Sequence, residues 1–250
     1  MEALKAQVLA TAVAMNASGI NQGSAGNVSA KCEYGFVITP TGMAYDECVA
    51  DDMVWLPLDA NSPVGADETK AKAETTALQG GRAKDALLAV ADDDTPSPQR
   101  KPSSEWRFHR DIYTAHPTAG AIVHTHSPFA TALACHGMGI PAFHYMIARF
   151  GGGDVRCAAY ATFGTEELSA AIVEALKDRC ACLMAHHGML VYGANLKHAL
   201  ALAIELESLA EQYWRTFQLG PVKLLPDMEI VRVLEKFATY GQQSDAKTEI

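Results

Sequence analysis

AIVHTHSPFA, residues 121–130, sets two histidines one residue apart at the end of an apolar run. Ala121, Ile122 and Val123 read as a short buried strand, closed by Ser127 and Pro128, where the chain must turn. Side chains two residues apart on a strand share a face, so His124 and His126 stand side by side. Two imidazoles on one rigid face supply two adjacent ligands for zinc or a similar ion. The competing reading packs one histidine in the core and uses the other to cap the turn. The pair alone does not decide between them, because a metal needs further ligands.

With 250 residues, 49% of them hydrophobic, the chain has enough apolar surface for one sizeable core and is expected to form a single domain over residues 1–250. A net charge of −9 without any Lys/Arg cluster argues against nucleic acid and against an anionic membrane surface. An anionic small substrate remains open, since it needs only a locally favourable pocket. The six cysteines show no CxxC spacing and sit in apolar segments, which suits reduced, mostly buried thiols in a cytoplasmic protein. No apolar run reaches the roughly 18 residues of a membrane span. Leu4, Val8, Leu9 and Ala12 form one stripe of an amphipathic first helix that ends at Gly19.

Strands are expected in GNVSAKCE, GFVITPTG and MVWLPLD, in AIVHTH, in VRCAAYATFG and in ACLMAHHGMLVYG. Helices are expected after Ser103-Ser104, through PFATALACHG, after Thr165, from about Asn195 to Phe217, and in DMEIVRVLEKF. The interspersed elements imply an α/β fold with a mainly antiparallel central sheet covered by helices. Residues 60–101 change character, being polar and rich in Ala, Asp, Gly and Pro, and read as a surface insertion, disordered or partly helical through KDALLAVA.

HHG at 186–188 offers a third ligand, and if it closes a strand only one of its histidines looks into a given site. His186 is expected to be a satisfied core histidine, and Gly188 would let the backbone pass close to an ion or substrate. Glu105, in PSSEW, is either a fourth ligand or simply an acidic group at a helix N-terminus. SAGNVSAK and TPTG are ordinary turn chemistry taken singly. Together with Ser103-Ser104 they could form an oxyanion cradle of backbone N–H and hydroxyl groups without any arginine.

In this order the strings GSAGNVSAK, ITPTGMAYDE, KPSSEWRFHRDIY, IVHTHSPFATA, IPAFHYMIA, YATFGT, HHGMLVYGANLKHAL and VLEKFATYG resemble the class II aldolase/adducin family, and within it the L-fuculose-1-phosphate aldolases. The resemblance implies zinc held by His124, His126 and His187, with Glu105 as a resting ligand that moves away to act as acid/base. It places Gly26, Asn27, Thr41, Gly42, Ser103 and Ser104 at the phosphate, and Phe163 and Tyr240 near the aldehyde end of the substrate. Tyr145 matches a tyrosine that reaches a neighbouring subunit's site as a proton donor in a homotetramer.

The reaction implied is reversible cleavage of a deoxy-ketose 1-phosphate of the L-fuculose 1-phosphate type to dihydroxyacetone phosphate and a small aldehyde. 5-Deoxyribulose 1-phosphate and 5-methylthioribulose 1-phosphate present the same phosphate and chelating oxygens. A sister 4-epimerase would carry aspartate at Glu105 and CHG for HHG, and a non-catalytic adducin-like scaffold would be expected to lack the ligands. A methylthioribulose-1-phosphate dehydratase is a further alternative within the superfamily.

Overall fold

The computed structural model describes residues 1–59 and 100–239. Nearly all of the polar insertion expected at 60–101, and Tyr240, lie outside the described residues. The chain opens with α1 (Glu2–Ala17), where Val8, Ala12 and Met15 are buried and Gly19 turns the chain at φ 78°. β1 (Asn27–Lys31), β2 (Gly35–Ile38) and β3 (Val54–Pro57) follow as an antiparallel meander. Then come α2 (Trp106–Ala115), β4 (Ala121–Thr125), α3 (Pro128–Cys135), β5 (Ile140–Pro141), a 3-10 turn (Tyr145–Phe150) and β6 (Asp154–Ala158). The chain continues through α4 (Glu166–Ala175), β7 (Ala181–Met184), β8 (Gly188–Gly193), α5 (Leu196–Thr216) and α6 (Asp227–Phe237).

The eight described strands form one sheet in the order β3-β2-β1-β4-β8-β7-β6-β5. All neighbours are antiparallel except β6 and β7, so the sheet is mixed rather than purely antiparallel. The physical reason is the crossover helix α4, which carries the chain from the end of β6 back to the start of β7.

Strand alternation sorts the core into two layers. On β4 and β8, Ala121, Val123, Met189 and Val191 face the layer that includes α1, α3 and α5. Ile122 and Leu190 face the other layer, with Phe108, Ile112 and Tyr113 of α2 and Leu168 and Ile172 of α4. Helix starts follow their sequence signals in two cases: Thr165 Oγ1 accepts from Leu168 N (3.3 Å) and Asn195 Oδ1 from His198 N (2.9 Å). Ser103-Ser104 behaves differently. Glu105, not a serine, occupies the cap position of α2, and Ser103 Oγ accepts from Glu105 N (3.3 Å).

ACLMAHHGMLVYG is not one strand but a tight hairpin, β7 and β8 joined through Ala185, His186 and His187. His186 takes φ 54° there, so the strict alternation expected for the pair does not apply. Among the described residues no two cysteines are joined, and only Cys182 is fully buried, against the expectation of mostly buried thiols. No described helix is long and apolar enough to cross a membrane.

Candidate metal centre and substrate cavity

His124 is the cross-strand partner of Asn27, and its imidazole lies on the α2 side of the sheet. Its Nδ1 donates to the Met189 carbonyl (2.8 Å), which turns Nε2 toward the interior of the site as the atom available for coordination. His126, two residues on, brings its Nε2 to 3.1 Å from that of His124. His187, held in the β7–β8 turn, completes a triangle of imidazoles with centroids 4.9 to 5.0 Å apart. Glu105, at the start of α2, places Oε2 3.2 Å from His124 Nε2 and Oε1 3.1 Å from His187 Nε2.

One donor atom from each of these four residues lies within 4.8 Å of the others. Glu105 Oε1 is buried and has no hydrogen bond of its own. A carboxylate oxygen and imidazole nitrogens facing one another at such distances are satisfied by a cation among them, and three histidines plus a displaceable carboxylate is a catalytic metal donor set. Gly188 makes this convergence possible: a Cβ there would lie 2.3 Å from the Thr125 carbonyl and 3.1 Å from the His126 ring.

Electrostatics matches the geometry. Burial works to raise the Glu105 carboxyl, but His124 and then His187 more than reverse this and hold it below the usual carboxylate range. Burial, with His124 and His187 beside it, lowers His126 to about 4, which favours the neutral, ligating imidazole.

The centre opens onto a cavity of about 340 Å³ whose walls include Glu105, His126 and His187. Gly26, Asn27, Thr41, Gly42, Ser103, Ser104 and Phe163 line the same cavity, so the sequence-derived anion positions gather in one place. No lysine or arginine lines it among the described residues. Gly26 and Gly42 take φ 65° and 69°, conformations that turn peptide N–H groups in tight loops. The loop before β1 is pegged by side-chain hydrogen bonds from Tyr45 OH to Gly26 O (2.7 Å), Asn21 Nδ2 to Ala25 O (2.6 Å) and Asn16 Nδ2 to Gly23 O (2.9 Å).

One expectation changes, and two other residues gain detail. His186 is exposed, lines the cavity mouth and meets Tyr160 edge-on at 5.9 Å, so it is not a core histidine. Asn27 reaches the cavity, but both amide hydrogens are engaged, with Ser103 Oγ (3.1 Å) and Glu105 Oε2 (2.9 Å). Tyr145 does not line its own chain's cavity; it is 49% exposed and packs on Phe237.

Sequence reasoning missed two buried groups. His109, fully buried and lowered to about 3 mainly by that burial, bonds Asn27 and Ser29. Glu207 of α5 accepts from Ser127 Oγ (2.7 Å), Phe129 N (2.7 Å) and Ala130 N (2.9 Å), fixing the corner after His126 and the start of α3.

Residues 6–214 match the model of the class II aldolase and adducin N-terminal domain. A 5-methylthioribulose-1-phosphate/5-deoxyribulose-1-phosphate aldolase of Rhodospirillum rubrum is 45% identical over 226 residues, covering 90% of this chain and 87% of that protein. An L-fuculose phosphate aldolase of Escherichia coli is 41% identical over 239 residues, 95% of each chain. Among solved structures, an L-fuculose 1-phosphate aldolase superposes with TM-score 0.78 at 31% identity, covering 94% of this chain and 96% of that one.

Proposed function

The chain belongs to the class II aldolase and adducin family, and from that premise we propose that it is a zinc-dependent aldolase cleaving 5-deoxy- or 5-methylthio-pentulose 1-phosphates to dihydroxyacetone phosphate and a small aldehyde. The reaction is supported above all by the Glu105–His124–His126–His187 cluster opening onto a cavity that no lysine or arginine lines among the described residues. The 45% identity with the Rhodospirillum rubrum aldolase favours these pentuloses over L-fuculose 1-phosphate, which becomes the second reading through the 41% identity with the Escherichia coli protein.

His124, His126 and His187 would hold the metal, with Glu105 as the exchangeable fourth ligand. When bound, zinc supplies Lewis-acid stabilisation of the charge that develops at the substrate's C2 oxygen. The chain's own residues do the rest. Backbone N–H groups around Gly26 and Gly42, with the hydroxyls of Thr41, Ser103 and Ser104, hold the phosphate; each charge-assisted bond is worth about 1.5–3 kcal/mol.

In the cleavage direction the C4 hydroxyl loses its proton, the C3–C4 bond breaks, and its electron pair moves toward C2 as an enediolate. Glu105 returns a proton to C3, and in the reverse direction removes it. The Oε1 oxygen suits this task, because Asn27 engages only Oε2. Tyr145 is assigned to the C4 oxygen in a neighbouring copy's cavity within a homotetramer, as its exposure allows. Phe163, 65% exposed, and Tyr160, 63% exposed, give the mouth an aromatic rim suited to a methyl or methylthio end. Tyr240 is assigned to that same aldehyde end.

The test is a panel of 5-methylthioribulose, 5-deoxyribulose and L-fuculose 1-phosphates, assayed for dihydroxyacetone phosphate release beside L-ribulose 5-phosphate. The expected result is release with the highest kcat/KM on the two pentulose 1-phosphates. Epimerisation of L-ribulose 5-phosphate without any release would overturn the assignment.

A further inference from the structure

Asn27 and Ser29 are two residues apart on β1, while Glu105, His109 and Tyr113 are four apart at the start and along one face of α2. Two strand residues advance by roughly 6.7 Å and four helical residues by about 6 Å, so the two rows stay in step. The result is one chain of contacts: Tyr113 OH to Ser29 Oγ (2.7 Å), Ser29 Oγ to His109 Nδ1 (2.7 Å), His109 Nε2 to Asn27 Oδ1, and Asn27 Nδ2 to Glu105 Oε2 (2.9 Å).

The direction of every proton in it follows from one end. A carboxylate only accepts, so the Asn27 NH₂ must face Glu105, which leaves Oδ1 for His109. Oδ1 also only accepts, so His109 carries its proton on Nε2. A neutral His109 then accepts at Nδ1 from Ser29, and Ser29 in turn accepts from Tyr113. Ser29, His109 and Tyr113 are at most 1% exposed, so the row is shut off from bulk solvent.

We infer that His109 is a positioning residue: as the Nε2–H tautomer it locks the Asn27 amide in the one orientation that clamps Glu105 Oε2 and leaves Oε1 free. This rests on the proposed acid/base role of Glu105. Flipping the Asn27 amide would set its carbonyl against the carboxylate and remove the clamp.

The first test is on the wild-type, metal-loaded protein, by ¹⁵N NMR of the imidazole rings, with His109 assigned by its absence from His109→Gln. A neutral Nε2–H ring is expected near neutral pH; an Nδ1–H ring or an imidazolium would overturn the inference. The second compares His109→Leu with His109→Gln, whose amide can both accept and donate. His109→Leu is expected to keep its metal but lose about 10- to 10²-fold in kcat, as for a misplaced catalytic group. His109→Gln should recover most of that loss. Full kcat in His109→Leu, or equal impairment of both variants with metal retained, would contradict the positioning role. If the wild-type enzyme cleaves no ketose 1-phosphate, the reading of Glu105 fails, while the tautomer still decides the clamp.

Discussion

The two walls of the cavity are built by different means. The proposed metal wall is made of side chains, two of them held from behind, His124 by the Met189 carbonyl and Glu105 by Asn27, while Glu207 fixes the turn after His126. The proposed anion wall is made mainly of turns, with peptide groups and hydroxyls around Gly26, Thr41, Gly42, Ser103 and Ser104. Fixed ligands are needed where charge develops during the reaction, whereas a phosphate that does not react needs only a ring of donors. Changes on the first wall should therefore act on metal content and turnover, and changes on the second on affinity and stability.

The largest effect is expected from His187→Ala, which removes one of three imidazoles. Metal analysis should show loss of most of the bound zinc, and kcat/KM should fall by about 10³-fold or more, the scale of losing Lewis-acid stabilisation worth several kcal/mol. Glu105→Gln comes next. Three histidines remain, so zinc should largely stay, while turnover drops by about 10²-fold or more if Glu105 moves the proton. Near-normal turnover of a zinc-loaded Glu105→Gln enzyme would erase the distinction between the walls.

Two glycines sharpen the comparison within the anion wall. A Cβ at Gly26 would lie 2.5 Å from the His124 carbonyl and 2.7 Å from Asn21 Oδ1, whereas one at Gly42 meets nothing within 4 Å. Both positions have positive φ, which costs an alanine about 1–2 kcal/mol. Gly42→Ala should lose only that, lowering Tm by about 2–8 °C with a raised KM. Gly26→Ala should lose clearly more and disturb zinc as well, because the clash pushes on the strand that carries His124. The smallest effect is expected from His186→Ala, which should keep full zinc content.

The metal wall was readable in part because strand period two and helical period four are local patterns. His124 and His126 stood out as a candidate pair at the end of one short strand, and Glu105, open between a ligand and a helix-start charge, was singled out by the resemblance. His187 came from the resemblance; strand alternation misjudged its neighbourhood, since the hairpin turn with His186 at φ 54° breaks the alternation. The same turn explains why His186 is exposed rather than packed. Glu207 had no local signal at all: its partners lie 77 to 80 residues earlier in the chain. His109 was hidden differently. The helix that carries it was expected, yet its meaning depends on Asn27 and Ser29, about 80 residues away.

The most direct measurement is dihydroxyacetone phosphate release from 5-methylthioribulose 1-phosphate by chelator-stripped protein, before and after zinc is returned. Stripped protein should release none, and activity should return as zinc approaches about one equivalent per chain, as one three-histidine site requires. Release at the full rate by protein shown to be metal-free would contradict a metal-dependent aldolase built on Glu105, His124, His126 and His187.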